Sequence, residues 1–337
     1  MVGVFRGNEG GRTLGFNGHI DVVPEGDPKS WSHKPYAGTI VAGRMYGRGT
    51  CDMKAGLTAI VFAIQALLES EVPFRDNLMV ASVIGEESGG MGTLATILRG
   101  HIPDGAIIAE PTSLRLVISQ AGCLMFRLRI RGKQAHGASR YMGVSAIEKF
   151  QPVLNSLLAL EERRRNMRSH PLFRGIPNPV TLSIGTLHAG NWDSTVPEEL
   201  TAEGRYGVWP GETLASARAQ FYSALKRATR LDPWLRRKPP SVTWFGPQWE
   251  PAEISSNSWL ARLVSSACKE ALGRRPPLCG IASGTDMRLY TNVGRVPALV
   301  FGPGDVSTAH FSDESVELDE MVDACRVYAT AAQGTVG

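Results

Sequence analysis

Cysteine is scarce in this sequence, and its few residues are widely separated. The chain of 337 residues has five, at positions 51, 123, 268, 279 and 325. Their number is odd and no two form a C-x-x-C arrangement, so the sequence does not predict a disulfide framework. Scattered cysteines of this kind are typical of a reducing compartment, and we expect a cytoplasmic protein.

Long hydrophobic runs are also missing. The most apolar stretch, Leu57 to Leu68, is interrupted by Thr58 and Gln65 and falls short of the roughly 20 residues that cross a bilayer. It is typical of a buried helix. The first ten residues have neither a basic start nor an apolar core, so the sequence predicts no export signal and no membrane partner.

Neither sign of charge is in large excess. The chain has 36 basic and 32 acidic residues, a net charge of +4, and the basic residues are spread along it. One basic run, residues 163–165, follows two glutamates in a helical pattern and indicates a solvated helix face, so we expect no nucleic-acid partner. Hydrophobic residues make up 43% of the chain, enough for a large core. The length indicates two domains or one domain with an insertion.

Buried strands alternate with helices at the start of the chain. The pattern predicts a strand from Thr13 to Ile20, a helix from Asp52 to Glu69, and apolar strands from Leu78 to Ile84 and from Gly105 to Ala109. Apolar strands between helices are typical of a covered, largely parallel sheet. The sequence therefore predicts an α/β layer architecture.

The pattern changes from about Ala121, where apolar residues alternate with arginines as in a sheet with one solvated face. Predicted elements then follow in the order strand, helix, two strands, helix and strand, which indicates an α+β, ferredoxin-like domain. From about residue 257 a helix, a strand and a final helix resume the first pattern. We therefore predict a discontinuous domain of residues 1–120 and 247–337, with residues 121–246 inserted.

Two motifs with metal-binding chemistry lie at the ends of predicted elements. His19 and Asp21 stand two residues apart in the first strand, so their side chains share a face and Asp21 can hold the second ring nitrogen of His19. Asp52 begins a helix after a glycine-rich turn. Both have alternatives, because an isolated H-x-D can occur by chance and Asp52 can be a helix cap.

Further carboxylates and a histidine occupy similar positions. Glu86 and Glu87 follow an apolar strand, where adjacent negative charges are costly unless a cation or proton relieves them. Adjacent side chains point in different directions, so one can bind a metal while the other faces a water. Glu110 ends the next strand and His310 follows a glycine-containing loop. Each could be a surface or capping residue, but such groups at five element ends together predict a metal site.

These motifs together resemble those of the M20 metallopeptidases, a family of di-zinc aminoacylases and exopeptidases. The matching segments are residues 18–24, 47–54, 86–87, 109–111, 132–136 and 309–315, and residues 194–197 and 209–212 resemble the acetylornithine deacetylase-like branch. They occur in the family's order and spacing. The resemblance implies a zinc-exopeptidase-like three-layer catalytic domain with an inserted α+β, ferredoxin-like domain that serves as lid and dimerisation domain.

The resemblance also implies two zinc ions per chain, for which Co²⁺ or Mn²⁺ can substitute. Asp52 would bridge the two ions. His19 and Glu110 would complete one site, and Glu87 and His310 the other. Three protein ligands at each zinc leave room for a shared water, as a catalytic site requires.

Three residues receive catalytic roles from the same resemblance. Glu86 would take a proton from the water and pass it to the departing amine. Asp21 would support His19. His136 would act beside the zinc pair of a partner subunit, so we expect a homodimer through the inserted domain.

Substrate-binding residues are assigned by position. Arg205, Gly284, Thr285 and Arg288 stand where family members hold the substrate carboxylate, and an arginine fork suits that group. A solvent-facing Arg205 is the alternative. The sequence departs from the family pattern at two places. Relatives carry several dozen residues before the His-x-Asp strand, which indicates a shortened reading frame or a trimmed sheet. Many relatives also have Asn where Ser194 stands.

The expected function is hydrolysis of the amide of an N-acyl amino acid, in the manner of acetylornithine deacetylase. The expected substrates are small N-acyl amino acids or short peptides. Within the enzyme class, the alternatives are a dipeptidase or carboxypeptidase, a desuccinylase and a carbamoyl-amino-acid hydrolase. From another class, the alternative is a non-catalytic metal-binding homologue.

Overall fold

The chain forms two compact units. The computed structural model describes residues 1–8, 10–70, 76–167 and 169–334. The first unit consists of Met1–Gln120, Ala252–Gly280 and Thr285–Gly337, and the second of Ala121–Pro251 and Ile281–Gly284. The second unit extends past residue 246, where the sequence analysis ended the insertion, because its last strand continues to Trp249.

The strands are numbered in chain order. They are β1 (Val2–Phe5), β2 (Thr13–His19), β3 (Thr39–Val41), β4 (Arg44–Tyr46), β5 (Asn77–Val83), β6 (Gly105–Ile108), β7 (Leu116–Gln120), β8 (Gly122–Arg131), β9 (Ala135–His136), β10 (Leu182–Ala189), β11 (Thr195–Val196), β12 (Glu199–Val208), β13 (Ser241–Trp249), β14 (Ala252–Glu253), β15 (Leu278–Ile281), β16 (Ala298–Val300) and β17 (Ser315–Glu317).

The α-helices are numbered in the same way. They are α1 (Ala55–Glu69), α2 (Met91–Leu98), α3 (Ala146–Met167), α4 (Leu214–Leu231), α5 (Pro233–Arg237), α6 (Trp259–Leu272) and α7 (Leu318–Ala332). With the turn before it, α1 forms the segment Thr50–Glu69, which is long and apolar enough to cross a membrane. Half of its most apolar window is buried inside the protein, as expected of the core helix that the sequence predicts.

The first unit is built on a mixed sheet in the order β1-β5-β2-β6-β16-β7-β14, with β15 beside β7. The four central strands, β5, β2, β6 and β16, run parallel, whereas β1 and β7 pair antiparallel with their neighbours. The centre of the sheet confirms the predicted parallel core. The antiparallel strands at both sides make the whole sheet mixed.

Helices cover both faces of this sheet. Phe16 of β2 packs against Tyr328 of α7, with ring centroids 5.5 Å apart, and a Cβ on Gly18 would touch Leu57 of α1. Asn17, between them, donates to the hydroxyl of Thr93 in α2. Because adjacent strand residues point to opposite faces, α1 and α7 lie on one face and α2 on the other. The predicted three-layer architecture is therefore confirmed.

The second unit contains a four-stranded antiparallel sheet in the order β10-β12-β8-β13. Its elements follow the chain as β8-α3-β10-β12-α4-β13, which confirms the predicted ferredoxin-like order. In β8 the side chains of Leu124, Phe126, Leu128 and Ile130 are buried, and those of Arg127, Arg129 and Arg131 are exposed. The buried apolar side chains of β8 share one hydrophobic core with α3 and α4.

Candidate metal centre

The side chains predicted to bind metal gather at one edge of the central sheet. His19 is the last residue of β2, Glu86 and Glu87 follow β5, and Glu110 follows β6. These three strands are parallel neighbours. The ends of parallel strands meet at the same edge, so residues distant in sequence become neighbours there.

Asp52 lies at the middle of the group. Its Oδ1 is 3.0 Å from Nε2 of His19, and its Oδ2 is 3.4 Å from Nε2 of His310. The same nitrogen of His19 is 3.6 Å from Oε1 of Glu110, and that of His310 is 3.2 Å from Oε2 of Glu87. Two sets of candidate ligands, each with one histidine and one glutamate, therefore share a single aspartate.

The local backbone turns Asp52 away from the helix that follows. Gly49 has a left-handed φ of 81°, and Asp52 has extended angles of φ −116° and ψ 96°. Helix α1 begins only at Ala55, without a side-chain cap. The helix-cap interpretation of Asp52 is therefore wrong, because its carboxylate faces the two histidines.

Asp21 supports the site differently from the sequence prediction. Strand β2 ends at His19, so the two-residue period does not extend to Asp21. The Nδ1 atom of His19 lies 2.9 Å from the main-chain carbonyl oxygen of Asp21, and the Asp21 carboxylate is farther away, at 3.6 Å. That carboxylate accepts instead from the main-chain N–H of Glu87, at 3.3 Å.

Glu86 is buried beside one of the two ligand sets, with 7% of its surface exposed. Carboxylate oxygens of Glu86 and Glu110 and a ring nitrogen of His19 lie within 4.8 Å of one another. Burial, together with the negative charges of Glu110 and Asp286, raises the pKa of Glu86 well above its usual value. Such a carboxyl can take up a proton and pass it to a neighbouring group.

The other pKa values of the group show that it attracts positive charge. Burial would lower the pKa of His19, but the charge of Glu110 and a hydrogen bond with Asp52 raise it to about 12. Hydrogen bonds with Asp52 and Glu87 raise the pKa of His310 to about 10. Burial and the charge of Asp52 raise the pKa of Glu110 to about 8. The carboxylates around the two histidines therefore stabilise positive charge at this edge of the sheet.

The donor set fits a divalent metal pair. The two histidines and the carboxylates supply nitrogen and oxygen ligands, which suit Zn²⁺, Co²⁺ and Mn²⁺. Oε1 of Glu87 is buried with no hydrogen-bond partner among the described residues. A buried carboxylate oxygen without a donor is costly, and a bound cation would satisfy it.

Two of the predicted substrate-binding residues lie in the first unit with their polar groups engaged. Arg288 is buried, and its Nη2 donates to the carbonyl oxygen of Gly89, 2.8 Å away, in the turn that follows Glu86 and Glu87. The hydroxyl of Thr285 is also buried and donates to Gln120 at 2.7 Å.

The remaining predicted residues, His136, Arg205 and Gly284, lie in the second unit. His136 is exposed, and its Nδ1 accepts from the main-chain N–H of Ala138 at 3.1 Å. The Nη2 of Arg205 donates to the carbonyl oxygen of Ala282 at 3.3 Å. Gly284 packs against the ring of Trp249.

The structure adds a buried polar network that the sequence analysis missed. Asn17 donates to the Thr93 hydroxyl at 2.8 Å, and this hydroxyl donates to Oδ2 of Asp286 at 2.6 Å. Asp286 is fully buried, and burial raises its pKa. The available signal was Asn17 itself, since an amide inside an otherwise apolar strand requires a buried partner.

Comparison with known proteins agrees with this geometry. The profile of Peptidase family M20/M25/M40 matches residues 15–334. The chain is 27% identical, over 97% of its length and 80% of the relative's, to an N-formyl-4-amino-5-aminomethyl-2-methylpyrimidine deformylase of Bacillus subtilis. Its fold matches an M20 family metallo-carboxypeptidase of Sulfolobus solfataricus (TM-score 0.80, 18% identity, 98% of this chain and 86% of that one) and aminopeptidase PepT of Bacillus cereus (TM-score 0.73, 20% identity, 98% and 83%). The chain therefore belongs to peptidase family M20/M25/M40, whose members are metal-dependent hydrolases with dinuclear sites.

Proposed function

We propose that this protein is a metal-dependent amidohydrolase that cleaves the amide of a small N-acylated amine, giving a carboxylate and a primary amine. The observation that carries the proposal is the placement of Asp52 between His19 and His310, with the buried carboxyl of Glu86 beside them. His19, Asp52 and Glu110 would hold one metal ion, and Asp52, Glu87 and His310 the other.

The residues divide the chemistry between them. Bound divalent metals would lower the pKa of a water and polarise the scissile carbonyl. Glu86 is the proton carrier, because burial raises its pKa and its neighbour Glu87 is turned to His310. It accepts a proton from the attacking water and donates it to the departing nitrogen.

For the substrate we propose first an N-acyl amino acid, with acetylornithine as the reference compound. Support comes from the segments 194–197 and 209–212 and from Arg205, whose guanidinium group suits a carboxylate. The same scaffold leaves a dipeptidase, carboxypeptidase, desuccinylase or N-carbamoyl hydrolase as alternatives.

A second candidate is an N-formylated aminomethylpyrimidine. Two curated relatives, 27% and 28% identical over nearly the whole chain, carry the name of a deformylase for such a compound. The bond cleaved is again an amide and the product a primary amine, but this substrate offers no carboxylate. Contacts of Arg205 and Arg288 with main-chain carbonyls are compatible with it.

The test is release of primary amine from a substrate panel. Metal-free protein is reloaded with Zn²⁺, Co²⁺ or Mn²⁺ and mixed with N-acetylornithine, the N-formyl aminomethylpyrimidine, an N-succinyl and an N-carbamoyl amino acid, and a dipeptide. We expect one class to be turned over at least tenfold faster than the rest. A folded, metal-loaded protein that is inert on the whole panel would favour the non-catalytic metal-binding alternative.

We also propose a homodimer through the second unit. Strand β10 lies at the edge of its sheet, and an edge strand offers unpaired main-chain groups to a second copy. Large apolar side chains are exposed in the same unit, among them Tyr141, Ile147, Leu187 and Trp192. Light scattering at several protein concentrations measures the mass directly, and a monomer at all of them would contradict this proposal.

A further inference from the structure

An ion pair is buried in the first unit close to the metal ligands. Nη1 of Arg48 lies 2.5 Å from Oε2 of Glu314, and only 2% and 1% of the two side chains are exposed. The guanidinium of Arg48 also stacks over the ring of Trp31, at 5.1 Å. A buried ion pair is by itself weak evidence for stability, because desolvation of both charges offsets their attraction. The role of this ion pair must therefore be inferred from the other hydrogen bonds of Glu314.

The second oxygen of Glu314 binds the backbone at Asp52. Oε1 accepts from the main-chain N–H of Cys51 at 2.9 Å and from that of Asp52 at 3.0 Å. These two amides precede α1, in a segment whose backbone is not helical at Asp52. Buried amides need an acceptor, and Glu314 supplies it for both.

Glu314 also belongs to the loop that carries His310. In that loop His310 and Asp313 have left-handed φ values of 64° and 60°. The Asp313 carboxylate accepts from the N–H of Ser32 at 2.7 Å, and the carbonyl of Glu314 accepts from Gly47 at 2.8 Å. Hydrogen bonds at Asp313 and at the main chain of Glu314 therefore connect this loop to Ser32 and Gly47.

One carboxylate thus connects the segments that supply two ligands of the same metal. We propose that Glu314 is a positioning residue that acts through Asp52. It holds the Asp52 main chain so that the Asp52 carboxylate reaches both histidines, and Arg48 balances the charge of Glu314. This inference rests on the metal site of the proposed function and extends it to residues that bind neither metal nor substrate.

The test separates the acceptor oxygen from the ion pair. Arg48→Met with Glu314→Gln removes the pair but keeps an oxygen for the two amides, whereas Arg48→Met with Glu314→Leu removes both. Zn²⁺ dissociation constants and stoichiometry are measured by competition with a chromophoric chelator, and folding by circular dichroism. We expect the Gln variant within about threefold of the wild-type affinity and the Leu variant weaker by roughly 10- to 100-fold, as for other partners of metal ligands.

A matched control is available in the second unit. Arg164 and Glu212 form an equally buried pair, with 3% of each side chain exposed. Arg164→Met with Glu212→Leu should lower the melting temperature but leave Zn²⁺ affinity unchanged. An equal loss of affinity in this control would show a merely structural effect and overturn the proposal.

Other outcomes would also contradict the proposed role of Glu314. Wild-type affinity in the Leu variant, or equal weakening in the Gln variant, would overturn the inference. If the Leu variant does not fold, Glu314→Asp takes its place, because it keeps the charge beside Arg48 but is too short to reach both amides, and it should lose affinity to the same extent. A wild-type chain that binds no metal would contradict the proposed function itself, whereas unchanged metal binding in the variants would contradict this inference alone.

Discussion

Glu86 and Glu87 are neighbours in sequence but differ in their surroundings. Glu87 faces His310, and its main-chain N–H is held by Asp21. Glu86 is buried beside His19 and Glu110, where its pKa is raised. Under the proposed function, Glu87 would therefore be a metal ligand and Glu86 the proton carrier.

This difference predicts opposite results for two isosteric substitutions. Glu86→Gln should abolish turnover, by at least a hundredfold, because an amide cannot carry the proton, while metal content stays near two per chain. Glu87→Gln should lose metal. Atomic absorption and amine release from the same preparations measure both effects, and the opposite pattern of metal contents would exchange the two roles.

Carboxylate recognition is predicted to depend on Arg205. If it binds the substrate carboxylate, Arg205→Ala should raise KM for N-acyl amino acids but not for their amides. The expected loss of binding free energy is that of a charged hydrogen bond, roughly 1.5 to 3 kcal/mol. Arg288→Ala should instead lower kcat for both substrate types, because Arg288 donates to Gly89 in the turn next to Glu86. Equal changes in KM for acids and amides would remove Arg205 from substrate binding.

At the scale of residues, the sequence was informative wherever a polar group stood at an element end. His19, Asp52, Glu87, Glu110 and His310 were all predicted there, and the structure brings them together. Orientation was harder to predict. The carbonyl rather than the carboxylate of Asp21 meets His19, because the strand ends one residue earlier than predicted.

At the scale of elements, the site depends on close packing of α1 against the chain that carries Glu110. Gly56 of α1 lies so near this segment that an added Cβ would be 1.9 Å from the carbonyl oxygen of Ala109. Either the helix or the segment must move if any side chain is placed there. The position of Glu110 and the start of α1 are therefore coupled.

Gly56→Ala should consequently destabilise the protein and weaken its metal binding. Overpacking of this kind typically costs about 1 to 3 kcal/mol. Gly175→Ala is the control, because a Cβ there meets nothing within 4 Å. Thermal unfolding and Zn²⁺ affinity are measured for both variants, and equal melting temperatures would show that the helix yields without cost.

Element types were predictable from periodicity, but the exact ends were not. The apolar runs identified β2, β5 and β6, and the alternation with arginines identified β8. The segment before α1 donates two hydrogen bonds to the Glu314 carboxylate, which lies 263 residues from Cys51 and 262 from Asp52 in sequence. No local pattern can contain such a contact.

At the scale of the whole molecule, the charge of the metal-free site makes folding depend on pH. The raised pKa values of His19, about 12, and His310, about 10, mean that the folded chain binds more protons than the unfolded chain above pH 6.5. Glu110, raised to about 8, adds in the same direction between pH 4.5 and 8. Stability falls with rising pH wherever the folded state binds more protons.

The metal-free protein should therefore melt at progressively lower temperature from pH 6.5 to pH 10. Bound metal replaces the protons, so the loaded protein should change much less over this range. Calorimetry of both forms in matched buffers tests the difference. Parallel pH profiles for the two forms would show that the site does not control the titration.

The proposed dimer predicts complementation between two inactive chains. If His136 acts in the partner's site, His136→Ala should be nearly inactive, since loss of one donor to the developing oxyanion costs about a hundred- to a thousandfold in kcat. Glu86→Ala should also be inactive, because it lacks the proton carrier. A mixed dimer would contain one intact site and recover up to about half of the activity, by two-fold symmetry. Mixed dimers confirmed by mass but without activity would place His136 outside the partner's site.

The spread of ligands along the chain has a consequence for synthesis. His19 leaves the ribosome early, but His310 and the central strand β16 follow only after the whole second unit. The second unit has its own core and can fold first. The sheet that contains β2, β5 and β6 is completed only when β16 pairs with β6. Under the proposed function, metal binding by both histidines would therefore come late in synthesis, after the parallel strands of the sheet have paired.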